Sequence, residues 1–176
     1  EIGTGLYTTE MSQYLSKYYN VEILTGFPYY PQWKIYDNYS EKEKNFSENI
    51  NGIKINRYKQ YVPEIPSSKE RLKHLPDFSK GTKKILKKLP KDYDMIFSIA
   101  PTLFSAKNAV YYKKKINNNC KIWLHIQDFE VDAMFESGLS KIPVLKKIGY
   151  NWENNIYDNF DVISTIKLRN DEKFRK

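Results

Sequence analysis

The chain has 176 residues, a formal net charge of +8 from 29 Lys plus Arg against 21 Asp plus Glu, and a 40% hydrophobic content rich in Tyr and Phe. That regularly distributed apolar content excludes a disordered chain, and no apolar run reaches the roughly 18–20 residues that cross a bilayer. One cysteine, Cys120, excludes an intramolecular disulfide framework and fits a reducing cytoplasm.

No signal peptide is expected from the opening EIGTGLYTTEM, which lacks a basic stretch followed by an apolar one. The length suits one domain with a real core. The positive surplus favours nucleic acid, phosphorylated small molecules or an anionic membrane surface without choosing among them, and a Lys- and Asn-rich surface that is merely solvated gives the same sum.

Tyr7, Met11, Tyr14, Leu15 and Tyr18 recur at helical spacing and predict an amphipathic helix ended by Asn20. Val21 to Thr25 reads as a short β-branched strand stopped by Gly26. Residues 27–48, aromatic and then charged, read as a long loop, and Gly52 to Tyr58 alternates as a half-exposed or edge strand does. Ser67 or Ser68 caps a helical stretch from Lys69 to Leu89, which Pro76 makes two helices or a kinked one. Asp94 to Ile99 is a buried strand, and a helix carrying Phe104, Asn108, Val110 and Tyr111 follows Pro101. Lys121 to Ile126 is the next strand, with a short helix over residues 130–136. Pro143 opens a long helix in which Leu145, Ile148, Trp152, Ile156 and Phe160 keep the period. Asp161 to Thr165 is a last strand, followed by a charged terminal helix.

Strands separated by helices predict an α/β domain with a mostly parallel sheet. Such domains begin with a strand whose first turn carries the ligand loop. This sequence begins at the turn, Gly3-Thr4-Gly5, and enters the helix directly, so a first strand is expected to be missing from it.

Four stretches carry candidate chemistry. Gly3, Thr4 and Gly5 stand at a helix amino terminus, where bare backbone and exposed N–H groups favour phosphate or carboxylate. Two glycines match neither a dinucleotide fingerprint nor a P-loop, and an ordinary turn has the same residues. GFPYYPQW, residues 26–33, follows a strand carboxyl end with rings held by prolines, a surface suited to sugar or base faces or to packing on its own domain. His125 ends a strand and is followed by Asp128, Glu130 and Asp132, which places hydrogen-bonding groups for ligand hydroxyls. A metal site is not expected there, with one nearby histidine and no cysteine cluster. His74, in a basic stretch expected to be exposed, receives no role, nor does Cys120, which has no obvious activating partner. The basic stretch Lys69 to Lys91, with Lys80, Lys83, Lys84, Lys87 and Lys88 on it, suits either an anionic membrane surface or plain solvation. It lacks a recognisable nucleic-acid module.

The ordered set EIGTGLYTTEM, EILTGFPYYPQWKIYDNY, ENINGIKINRYKQYVP, WLHIQDFEVDAMFESGL and DVISTI resembles the amino-terminal half of family 4 glycosyltransferases of the GT-B fold. The nearest resemblance is to the subgroup associated with colanic acid and other bacterial exopolysaccharides. It spans nearly the whole chain, and GFPYYPQW and LHIQDFEVD are its specific parts. The resemblance implies a Rossmann-like amino-terminal, acceptor-side domain over residues 1–176, with the carboxyl-terminal donor domain and its E-x7-E-type motif outside this sequence. It implies transfer of a sugar from a nucleotide-sugar, a co-substrate, to a glycan or lipid-linked acceptor at the cytoplasmic membrane face, without a metal or other cofactor. By the same resemblance Gly3, Thr4 and Gly5 lie near donor phosphates or the reacting sugar. His125 meets the transferred sugar, and Asp128 orients it or an acceptor hydroxyl. Phe27, Tyr29, Tyr30, Trp33 and Glu130 form acceptor surface, and the basic segment faces anionic lipid. The fragment alone is expected to be inactive. The rival expectation is a stand-alone module that binds an anionic ligand, a membrane surface or nucleic acid.

Overall fold

The structure, a computed structural model, describes residues 4–100, 103–127 and 143–166. Helix α1 (Thr4–Leu15) leads to β1 (Glu22–Gly26), and the one-turn helix α2 (Asp37–Ser40) precedes β2 (Asn45–Ile50) and β3 (Ile53–Tyr58). Then α3 (Ser68–Leu86) crosses to β4 (Met95–Ala100), α4 (Leu103–Lys115) to β5 (Lys121–Ile126), and α5 (Pro143–Tyr157) precedes β6 (Val162–Thr165). The strands form two three-stranded sheets, ordered β1-β3-β2 and β4-β5-β6. β3 lies parallel to β1 and antiparallel to β2, and the second sheet is entirely parallel. This is the open, helix-flanked α/β arrangement that the alternation of strands and helices predicts.

The core is built on one face of β5. Leu124 and Ile126 pack with Leu103 and Ala106 of α4 and Ile156 and Tyr157 of α5. Ile122 and Cys120 pack with Leu86 of α3 and Ala109 and Tyr112 of α4. Because side chains alternate along a strand, Trp123 and His125 then emerge on the opposite face, where both are half-buried.

The two helices over this core are tied together by polar side chains. Asn108 donates to the Ser79 carbonyl at 2.9 Å and to the Thr82 hydroxyl at 3.0 Å, and Ser79 donates to the Phe104 carbonyl at 2.6 Å. Ser67 caps α3 by accepting from the Glu70 N–H. The helix continues through Pro76 as one element, not two. Its docking on α4, β1 and β3 outweighs the roughly 3 kcal/mol cost of an interior proline. Gly81 permits that docking, since a Cβ there would sit 2.1 Å from the Tyr58 ring of β3.

Glu22 joins the sheets at their amino-terminal ends. Its carboxylate accepts from Lys54 at 2.8 Å, from Asn56 at 2.6 Å, and from the hydroxyl of Tyr93 just before β4. The other edges of β1 and β4 carry no strand partner among the described residues.

Several expectations need correction. The stretch 27–48 is not one long loop, because it contains α2 and the start of β2. β3 is central and largely buried, not an edge. Asn51 and Gly52, both at positive φ, turn β2 into it as a two-residue hairpin loop requires. β4 is half-buried, with Met95 exposed. Helix α1 ends at Leu15, short of the expected Asn20, and Tyr7, Tyr14 and Tyr18 of its amphipathic stripe are exposed. No other described element packs substantially on α1. In α5, Leu145 and Ile148 are also exposed, and Phe160 lies beyond the helix end. The helix expected over 130–136 and the charged terminal one lie outside the described residues.

Candidate functional site

His125 occupies the carboxyl-terminal end of β5, the end at which parallel α/β sheets hold ligands. The strand register sets Ile99 on one side of it and Ser164 on the other. Its ring stacks on Phe97 with centroids 5.9 Å apart and planes 24° from parallel, and Phe97 meets Trp123 edge-on at 5.0 Å. The Ser164 hydroxyl lies 2.8 Å from the Trp123 indole nitrogen and 2.9 Å from Nδ1 of His125. Burial holds His125 below the ordinary histidine value and favours the neutral ring. Nε2 has no partner among the described residues. The site therefore offers one neutral imidazole edge, framed by two aromatic rings and backed by a hydroxyl. Asp128, Glu130 and Asp132 lie outside the described residues.

The aromatic loop after β1 forms a second cluster. The Gln60 side-chain amide clamps its root, accepting from the Phe27 N–H at 2.8 Å and donating to the Phe27 carbonyl at 2.9 Å. Phe27 itself is 1% exposed, so its ring is core and offers no face to an acceptor. Tyr29, Trp33 and His74 form a trio of rings, with centroid separations of 5.4, 5.0 and 5.9 Å. Trp33 holds φ at +54°, a left-handed conformation uncommon for a bulky residue. Tyr30 is the outward ring, at 56% exposure.

His74 is 6% exposed, contrary to the exposed position expected of it. The carbonyl of Tyr61 and the hydroxyl of Tyr29, 3.1 Å from Nε2, satisfy its two nitrogens. Lys73, next to it in sequence, is exposed while the His74 ring is buried, so the basic context misplaced it. Two open hollows of 330 and 400 Å³ flank Tyr61, the first against Lys73 and Asp77 and the second against residues 62–65 and Glu70.

Gly3 lies outside the described residues, whereas Thr4 and Gly5 stand in the first turn of α1, and no described residue comes within 4 Å of where a Cβ on Gly5 would sit. On α3, Lys80, Lys84, Lys87 and Lys88 are exposed. Lys83 instead lies over Tyr111 of α4, 3.9 Å from the ring centroid. Burial pushes the Cys120 thiol up, which leaves it inert. Among the described residues no group of three or more His, Cys, Asp or Glu could hold a metal, and no helix is long and apolar enough to cross a membrane. The structure thus groups Tyr29 and Trp33 with His74, and His125 with Phe97, Trp123 and Ser164. Sequence reasoning passed over Gln60, His74 and Ser164. A cross-strand register would have exposed Ser164, while nothing local marks the other two.

No family model and no solved structure matches the chain. It is 34% identical over 169 residues to a protein of Escherichia coli (strain K12) named as a colanic acid biosynthesis glycosyl transferase, WcaI. That alignment takes in 93% of this chain but 40% of the relative, so the chain spans well under half the length of the protein it matches. The similarity bears out the resemblance of this chain to the amino-terminal part of a glycosyltransferase.

Proposed function

We propose that this chain is the acceptor-side domain of a GT-B, family 4-type glycosyltransferase that moves a sugar from a nucleotide-sugar to a glycan or lipid-linked acceptor of a bacterial surface polysaccharide. The observation that carries the proposal is the 34% identity running over 93% of the chain. Geometry supports it with His125 at the carboxyl end of a parallel strand, the end at which such sheets hold ligands, and with burial favouring its neutral ring. A neutral imidazole there donates a hydrogen bond to a sugar hydroxyl or to the oxygen on which charge develops.

Under this proposal the Gly3–Gly5 turn lies against donor phosphates, and Asp128 orients the sugar or an acceptor hydroxyl. The loop with Tyr29, Tyr30 and Trp33, together with Glu130, faces the acceptor. Exposed Lys80, Lys84, Lys87 and Lys88 hold the enzyme at an anionic membrane surface. One further parallel strand pairs the open edges of β1 and β4, and a second domain binds the donor, so this chain alone does not turn over. No metal is required.

The test is His125→Ala in the protein as its gene encodes it, assayed for sugar transfer. Turnover should fall about a hundredfold or more with the thermal midpoint little changed. Near-normal turnover would remove His125 from the site.

A further inference from the structure

We propose that Ser164 is a positioning residue that links the Trp123 indole to Nδ1 of His125 and fixes the imidazole as the tautomer with its proton on Nε2. The chemistry of the three groups leads to this assignment. An indole nitrogen can only donate, so the Ser164 oxygen, 2.8 Å away, accepts from Trp123. That leaves the serine its own proton, and Nδ1 of His125 stands 2.9 Å from the same oxygen. Donation from serine to Nδ1 uses every group once and gives a directed chain, Trp123 to Ser164 to His125. The proton of a neutral ring must then sit on Nε2, the nitrogen without a protein partner among the described residues.

The fold holds all three groups in place. Trp123 and His125 are two residues apart on one face of β5, and the register pairs His125 with Ser164 of β6. Phe97 closes the ring from the other side. Burial favours the neutral ring, as the relay needs. The result is a ring with a single N–H donor, on Nε2, and with its tautomer decided before any ligand arrives.

The catalytic consequence rests on the role proposed above for His125; the tautomer does not. The experiment therefore reads both. Histidine ¹⁵N spectra of the gene-encoded protein, with the His125 signals identified by their loss in His125→Gln, should show an unprotonated Nδ1 and a protonated Nε2. Ser164→Ala should mix the two tautomers, and Ser164→Thr should restore the single one. Turnover of Ser164→Ala should drop roughly tenfold, the scale on which removing a histidine-orienting partner acts, with KM little altered and recovery in Ser164→Thr. A protonated Nδ1 in the unmodified protein overturns the relay without any variant. An unchanged tautomer in Ser164→Ala overturns it as well. A mixed tautomer with full turnover supports the relay and overturns the sugar-contacting role of His125.

Discussion

The hydroxyl of Tyr29 lies 3.1 Å from Nε2 of His74, across 45 residues of sequence, and fixes the aromatic loop to α3. The carbonyl of Tyr61 can only accept, so Nδ1 of His74 donates to it. One buried side chain on the helix thus gathers two loops. The left-handed Trp33 is packed against the same ring, as a strained residue must be if it is to persist.

Truncating that hub should be costly. His74→Ala leaves the Tyr61 carbonyl without its donor and opens a cavity beneath Tyr29 and Trp33. The expected loss is about 2–4 kcal/mol, read as a lower urea midpoint. Tyr29→Phe removes one hydroxyl and should cost about 0.5–1.5 kcal/mol. In the double variant the two losses should fall short of additivity, because the residues share a bond. Strict additivity would mean that the bond contributes nothing.

Gly81→Ala reverses the usual rule for helices. Replacing an interior helical glycine by alanine ordinarily gains up to about 1 kcal/mol. Here the new Cβ would stand 2.1 Å from the Tyr58 ring, which is itself buried and held by a 3.2 Å bond from its hydroxyl to Asp77. Overpacking of this kind costs about 1–3 kcal/mol, so the thermal midpoint should fall. A rise would show that α3 does not rest on Tyr58 as described.

Glu22 should make stability depend on acid. Burial alone would raise its carboxyl, but hydrogen bonds from Lys54, Tyr93 and Asn56 outweigh burial and hold it below the ordinary value of 4.5. A carboxyl lowered on folding stabilises the native state above its unfolded value and loses that contribution as pH falls through the folded one. Glu22→Gln should therefore be less stable than the parent at neutral pH. The gap in urea midpoint should narrow below about pH 4.5. A constant gap would assign the effect to packing and not to charge.

What the sequence revealed follows from where the information resides. The strand Lys121 to Ile126 was legible residue for residue, because Ile122, Leu124 and Ile126 form a buried alternation in a β-branched setting. β2 was missed because Asn45–Ile50 is polar and mostly exposed, although the Asn51–Gly52 pair was a hairpin signal in plain view. The tyrosine stripe of α1 has helical period, but period cannot say whether a sheet face lies beneath it. His125 stood out as a polar end to an apolar strand. Ser164 and His74 acquire meaning only through partners 39 and 45 residues away.

Gly5→Ala separates folding from function at the proposed donor turn. Among the described residues nothing lies within 4 Å of the position that a Cβ would take, and the residue stands in the first turn of α1. Alanine there should leave the thermal midpoint unchanged or slightly raised. If the bare backbone at Gly5 lies against a donor phosphate, the added methyl group holds that phosphate away from the N–H groups at the helix terminus. Turnover of the gene-encoded enzyme at subsaturating donor should then fall about tenfold, equal to about 1.4 kcal/mol of binding, and mainly through KM for the donor. An unchanged KM in a well-folded variant would place the donor elsewhere and leave Gly5 as an ordinary helix-start glycine.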